Sequence, residues 1–138
     1  MILSKKTRYA IVALAKLAQE YGNGPILIRQ IAEEEKIPRS FLENILLELK
    51  KIGILGSNLG KGGGYYLLRK PEEVNLANII NHFEGTIALL YCVSERSYRP
   101  CEFCKDEATC QIRKVFKEVH DTTYNILTKT TLDKLIKT

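Results

Sequence analysis

The sequence predicts a mainly α chain with a small β-hairpin wing: a winged helix-turn-helix followed by a long C-terminal helix. Three observations predict it. Two short amphipathic segments meet across a tight turn at 36–39. A glycine-rich turn at 60–64 separates two strand-like runs. An apolar seam at three- and four-residue spacing runs from residue 112 to 126. A chain of 138 residues and 15.7 kDa fits one domain with an appended element.

In order, Ser4 is the expected N-cap of a helix reaching about Tyr21, because Ile11, Leu14, Leu17, Ala18 and Tyr21 recur on one face. Lys5, Lys6 and Arg8 crowd its first turn, the wrong end for the helix dipole, and a partner phosphate would relieve them. Gly22-Asn23-Gly24-Pro25 stops it. A second helix is expected over 28–35, poorly capped because Leu27 stands where Ser or Asp would serve. After Lys36-Ile37-Pro38-Arg39, a third runs from Ser40 to about Ile52 on a stripe of Leu42, Ile45, Leu49 and Ile52. Gly53 ends it. Strands are expected over 54–59 and 65–68, joined through Gly60–Gly64. No helix with a glycine-rich N-terminus follows those glycines, which sets a nucleotide site aside.

After a linker at 71–73, Asn75 caps a helix over 76–83 that Gly85 terminates. Residues 94–109 hold charge, Pro100 and two cysteines, with Cys110 immediately after, show no periodicity, and are expected to be mostly loop. The last helix starts near Cys110 with the seam Ile112, Val115, Val119, Thr122 and Ile126, Phe116 alongside. A second copy of the same helix would bury that seam by two-fold symmetry; packing on its own domain is the alternative. The expected divisions are residues 1–70 as the DNA-binding region, 71–91 as linker and supporting helix, 92–110 as a cysteine-rich sensor loop, and 111–138 as a dimerisation helix and C-terminal tail.

Charge is unevenly spread. Residues 1–70 hold 12 Lys/Arg against 6 Glu, whereas residues 71–138 hold 9 Lys/Arg against 10 Asp/Glu. A basic N-terminal half suggests a polyanion partner or a solvated basic face. The N-terminus carries charges where a signal peptide needs apolar residues, and the longest apolar runs, 9–15 and 87–93, are seven residues each. A cytoplasmic protein without a membrane partner is expected. In that compartment clustered cysteines point to metal or redox chemistry rather than structural disulfides.

A recognition helix reads base edges from its N-terminal residues, here Arg39, Ser40, Glu43 and Asn44. Asn suits adenine and Glu the cytosine amino group. Ser40 and Glu43 also spell S-x-x-E, a capping box. Lys5, Lys6, Arg8, Arg29, Lys50, Lys51 and Lys61 are candidate phosphate contacts, which position a protein without reading sequence.

All four cysteines, Cys92, Cys101, Cys104 and Cys110, lie in one C-x8-C-x2-C-x5-C stretch. Thiolates in such a set suit an iron–sulfur cluster, 2Fe–2S or 4Fe–4S, or zinc. A thiol switch and inert thiols stay open. The C-x2-C sits outside any βαβ pattern and no nucleophile–base pair is apparent, so an enzyme is not expected. His82 and His120 are isolated and read as structural or surface residues.

Ser4-Lys5-Lys6-Thr7-Arg8-Tyr9-Ala10, Ile31-Ala32, Ser40-Phe41-Leu42-Glu43, Gly60-Lys61-Gly62-Gly63-Gly64-Tyr65, Glu84-Gly85 and Thr131-Leu132-Asp133-Lys134-Leu135 together resemble the Rrf-type winged-helix repressors typified by IscR, NsrR and CymR. The resemblance covers essentially the whole chain. It implies a bacterial homodimeric transcription regulator on a palindromic double-stranded operator, in many members governed by an iron–sulfur cluster that reports iron, redox state or nitric oxide. CymR-like members imply the alternative of a regulatory partner protein and no cofactor. The resemblance places base contacts at Ser40, Glu43 and Asn44. Two departures stand out. Leu59 occupies the position of a minor-groove arginine, leaving Lys61 as substitute. Arg113 occupies the position of a histidine ligand, and Cys104–Cys110 keeps the family spacing while Cys101 is extra.

Overall fold

The computed structural model describes residues 2–136. Ser4 starts α1 (Lys5–Gln19), its hydroxyl accepting the Thr7 N–H at 3.2 Å. The buried stripe is Ala10, Ala13, Leu14, Leu17 and Ala18, three of them small enough for close helix approach. Tyr21 does not belong to it: the helix stops at Gln19 and Tyr21 is 44% exposed.

The second helix, α2 (Ile28–Glu35), has the expected bounds and no side-chain cap at Leu27. Lys36 then adopts a left-handed conformation (φ 55) that turns the chain into α3 (Arg39–Lys51). Pro38 takes the N-cap position, so Ser40 lies inside the first turn and the capping box does not form. Leu42, Ile45, Leu46 and Leu49 are buried, whereas Ile52 is displaced to the surface because the helix has ended at Lys51.

Strands β1 (Leu55–Asn58) and β2 (Gly64–Leu67) pair antiparallel, Leu55 opposite Leu67 and Asn58 opposite Gly64. Ile26 extends this hairpin. Its N–H and C=O exchange hydrogen bonds with Tyr65, both at 2.8 Å, fastening the wing to the segment before α2. That approach requires glycine at 64: its φ is 138°, and a Cβ would stand 2.2 Å from the Ile26 carbonyl oxygen.

A 3₁₀ turn at Pro71–Glu73 with Pro71 buried leads into α4 (Leu76–Glu84), capped by the Asn75 side chain on the Asn78 N–H and closed by Gly85 at φ 86. Residues 86–110 are irregular apart from 3₁₀ turns at Tyr91–Val93 and Glu107–Thr109. Helix α5 (Gln111–Lys129) and the short α6 (Leu132–Ile136) complete the chain. Helix α6 returns to the core: Leu132 is fully buried in the cluster that contains Leu14, Ile31, Leu42 and Leu49, and α6 packs on α1. Backbone bonds from Leu132 to Val74 and from Leu76 to Thr130, both 2.9 Å, stitch this end of the chain to α4. Among the described residues no helix is long and apolar enough to cross a membrane.

Candidate functional site

The basic half presents one face built from three elements. Arg39, Ser40, Glu43 and Asn44 are all exposed on the first turns of α3. Arg29, from the start of α2, and Arg39 line a cleft of about 490 Å³ whose opposite wall is the wing, through Ser57, Asn58, Leu59 and Tyr65. Leu59 at the wing tip is 97% exposed, and Lys61 beside it is exposed. Such a cleft, arginines on one side and a projecting hairpin on the other, matches the way winged helices straddle a duplex backbone. Arg39 Nε lies 3.3 Å from Glu43, one helical turn on, an exposed pair of little worth to stability and open to exchange for a base or phosphate.

The remaining cations divide. Lys5, Arg8, Lys50 and Lys51 are exposed. Lys6 is held within the chain, donating to Glu48 at 2.7 Å and lying 5.6 Å from the Phe83 ring centroid. Its hydrogen bond holds the Glu48 carboxyl below the ordinary carboxylate range, and Glu48 also meets His82 at 3.3 Å.

The crowded N-terminus of α1 finds its counter-charge inside the chain. One oxygen of Glu84 accepts from the buried Thr7 hydroxyl at 2.5 Å and from the Ser4 N–H at 2.9 Å. A carboxylate at the positive end of the helix offsets Lys5, Lys6 and Arg8, so no phosphate is needed to form α1. Hydrogen bonding by Thr7 and then Ser4 lowers the Glu84 pKa. The Glu84-Gly85 pair thus has two roles, an anion for α1 and the stop of α4.

All four cysteines are free thiols and line one small cavity of about 110 Å³, with Leu90, Phe103, Glu107, Ile112 and Arg113. Cys92 is buried, Cys104 and Cys110 are half-buried and Cys101 is exposed. Cys110 is the N-cap of α5, its sulfur accepting the Arg113 N–H at 3.4 Å. That backbone bond depresses the Cys110 pKa, while desolvation and then contact with Cys110 raise that of Cys104. The two neighbouring thiols are thus pushed in opposite directions, Cys110 at the helix N-terminus being the more acidic. Arg113 meets the same cavity with its buried Nε lacking a hydrogen-bond partner among the described residues. A guanidinium so placed favours negative charge in the cavity. In sequence Arg113 stands only where a ligand is missing, although the three-residue spacing from Cys110 is that of an N-cap and the backbone N–H it accepts.

The α5 seam faces outward: Ile112 is 66% exposed, Val115 58%, Val119 42% and Ile126 59%. The opposite face, with His120 buried and Tyr124 and Leu127 half-buried, packs on α4 and the turn after it. His82 is exposed on Glu48, whereas His120 is buried beside Glu95 and Asp121, a grouping no local signal announces because 25 residues separate its parts.

A sequence profile described as Rrf2, an iron-dependent transcriptional regulator, matches residues 3–138. An rrf2-like HTH-type transcriptional regulator of Rhodobacter capsulatus is 38% identical over 138 residues, covering 98% of this chain and 92% of the relative. The regulator IscR of Pectobacterium atrosepticum is 28% identical, covering 99% and 79%. Among solved structures, CymR, the global cysteine regulator of B. subtilis, superposes with a TM-score of 0.82 at 26% identity, covering 99% of this chain and 96% of that one. IscR of T. potens gives 0.77 at 26% identity, covering 99% and 87%.

Proposed function

This chain belongs to the Rrf2 family of transcriptional regulators, winged-helix DNA-binding proteins rather than enzymes, and we propose that it is a homodimeric repressor whose operator affinity is set by an iron–sulfur cluster on Cys92, Cys101, Cys104 and Cys110. One observation carries the reading: four free thiols line a single cavity that also receives the unpartnered Nε of Arg113. Four thiolates and a cation fit an anionic cluster, and the apolar walls Leu90, Phe103 and Ile112 would limit its contact with water. Zinc on the same four thiolates is the alternative occupant, told apart by metal and sulfide analysis. When bound, the cluster would supply one-electron redox chemistry and sensitivity to iron supply or nitric oxide.

The chain's own residues give that site a route to DNA. Cys110 is at once a ligand and the cap of α5, so its engagement changes the first turn of the helix bearing the exposed seam. Pairing of two seams sets the separation of two α3 helices, and operators are read when that separation matches about one turn of DNA. Arg39, Ser40, Glu43 and Asn44 read bases in this scheme. Arg29, Lys5, Arg8, Lys50 and Lys61 hold phosphates, and Lys6 joins them only by leaving Glu48.

The test is protein purified without oxygen, analysed for visible absorbance, iron, sulfide and zinc, then assayed for operator binding with and without the cluster. Matched iron and sulfide with a change in affinity on removal is the expected result. Unchanged affinity would sink cluster control. A second reading has its own support in the Cys104–Cys110 contact: loss of two electrons and two protons to a peroxide or disulfide oxidant would join the pair and remove the α5 cap. It expects a colourless protein whose DNA binding is restored by dithiol.

A further inference from the structure

We propose that Glu95, His120 and Asp121 form a binding site for a first-row divalent cation, separate from the cysteine cavity. His120 is 6% exposed, and among the described residues neither its Nδ1 nor its Nε2 has a hydrogen-bond partner. A neutral imidazole offers one N–H and one lone pair, and burying both unused is destabilising. Structures keep such a group when something else satisfies it. What surrounds it is informative: one donor atom from each of Glu95, His120 and Asp121 lies within 4.8 Å of the others.

Two carboxylates converging on one imidazole from segments 25 residues apart repel each other, and a simple His–carboxylate pair would need only one of them. A divalent cation removes the conflict. Its two charges balance both carboxylates, and one ring nitrogen becomes a ligand. Tetrahedral donors bound at about 2.1 Å to one ion stand ~3.4 Å apart, so side-chain rotation about the exposed Glu95 and Asp121 has to close the group by up to about 1.4 Å. One nitrogen and two carboxylates suit zinc, manganese or ferrous iron better than magnesium or calcium, which favour all-oxygen sites.

The scaffold holds the donors still. Ser94 is buried, its hydroxyl bonded to Thr86 Oγ1 and accepting from the Ser97 N–H, both at 2.9 Å, which fixes the turn carrying Glu95. His120 and Asp121 are consecutive on α5, and the His120 ring rests near that of Tyr124, centroids 5.8 Å apart. Asp121 also meets Lys117 at 3.1 Å. That exposed i,i+4 pair is weak and gives way to a cation. Glu95 and Asp121 are exposed, so the buried nitrogen is reached from solvent through the carboxylates. The ion would tie the start of the cysteine loop to the middle of α5.

Titration of the full-length protein with Mn²⁺, followed by the loss of its free-ion EPR signal, tests the site. Manganese prefers N/O donors to thiolates, so the cysteines do not compete. The expected result is one Mn²⁺ per chain, displaced by Zn²⁺, with affinity at least tenfold lower in Glu95→Gln and in Asp121→Asn. Both changes are at exposed residues and spare the core, so they remain informative even if His120→Gln fails to fold. Absence of saturable binding overturns the proposal. So does binding unchanged in Glu95→Gln and Asp121→Asn.

Discussion

Replacing Glu84 by Ala removes the anion that closes the N-terminus of α1. The Thr7 hydroxyl, wholly buried, loses its 2.5 Å bond but keeps Ser4 Oγ at 3.1 Å, while the Ser4 N–H, at an exposed residue, turns to water. Hydrogen bonds to a charged group contribute about 1.5–3 kcal/mol each, and these two share one acceptor. With partial replacement by water and Ser4, the net loss is about 2 kcal/mol, or roughly 8 °C in Tm for a chain of this length. The sign with pH follows from the depressed Glu84 pKa. The stabilisation is fully present above the carboxyl's unfolded value near pH 4.3 and is lost as pH falls through the lower folded value. Glu48 and Glu34 are shifted the same way by Lys6 and Lys16, so Glu84 is isolated by difference against Glu84→Gln. Urea unfolding at fixed protein concentration between pH 3 and pH 7 is the assay. The gap between wild type and Glu84→Gln should stay constant above about pH 5 and close below it. A loss under 0.5 kcal/mol in Glu84→Ala, or parallel pH curves for wild type and Glu84→Gln, would refute the assignment.

Gly64→Ala forces a Cβ against the Ile26 carbonyl at a φ that only glycine adopts freely; about 3 kcal/mol should be lost in chemical denaturation, with weaker DNA binding as the wing detaches. Cys110→Ser keeps an oxygen cap for α5 and should leave apo-protein stability within about 0.5 kcal/mol while abolishing stoichiometric cluster loading; Cys110→Ala should lose about 1 kcal/mol as well. Val119→Asp places charge in the exposed seam; on the proposed pairing of two seams, sedimentation should report a dimer for the wild type and a monomer for the variant at the same concentration. A dimer surviving that change would mean another surface joins the copies.

Much of the fold was legible because its signals are local. Ser4, Gly53, Asn75 and Gly85 each act within a turn of the helix end they govern, and the α2 bounds fell out of apolar spacing. Ser40 misled because a capping box needs serine at the N-cap, and the Pro38 backbone took that position first. The outward seam of α5 followed from periodicity, but its exposure depends on which face α4 covers. What escaped the sequence is long-range: Glu84 on Ser4 and Thr7, Ile26 on Tyr65, Leu132 in the central core, and Glu95 beside His120. The cysteines were visible as a set, and their convergence on Arg113 emerged only once α5 was placed.

The return of α6 to the core makes α5 a beam clamped at one end. Its 19 residues span about 28 Å. The far end is moored through Thr130 and Leu132 to the body that carries α3, while the near end rests on the irregular cysteine segment. A pivot of about 10° at the mooring would swing the Cys110 end by ~5 Å, and the same torque returns along the beam to its anchorage. Because α4 and the turn at Tyr91–Val93 brace the strut along its inner face, such a swing would be felt by those neighbours as well as at the mooring.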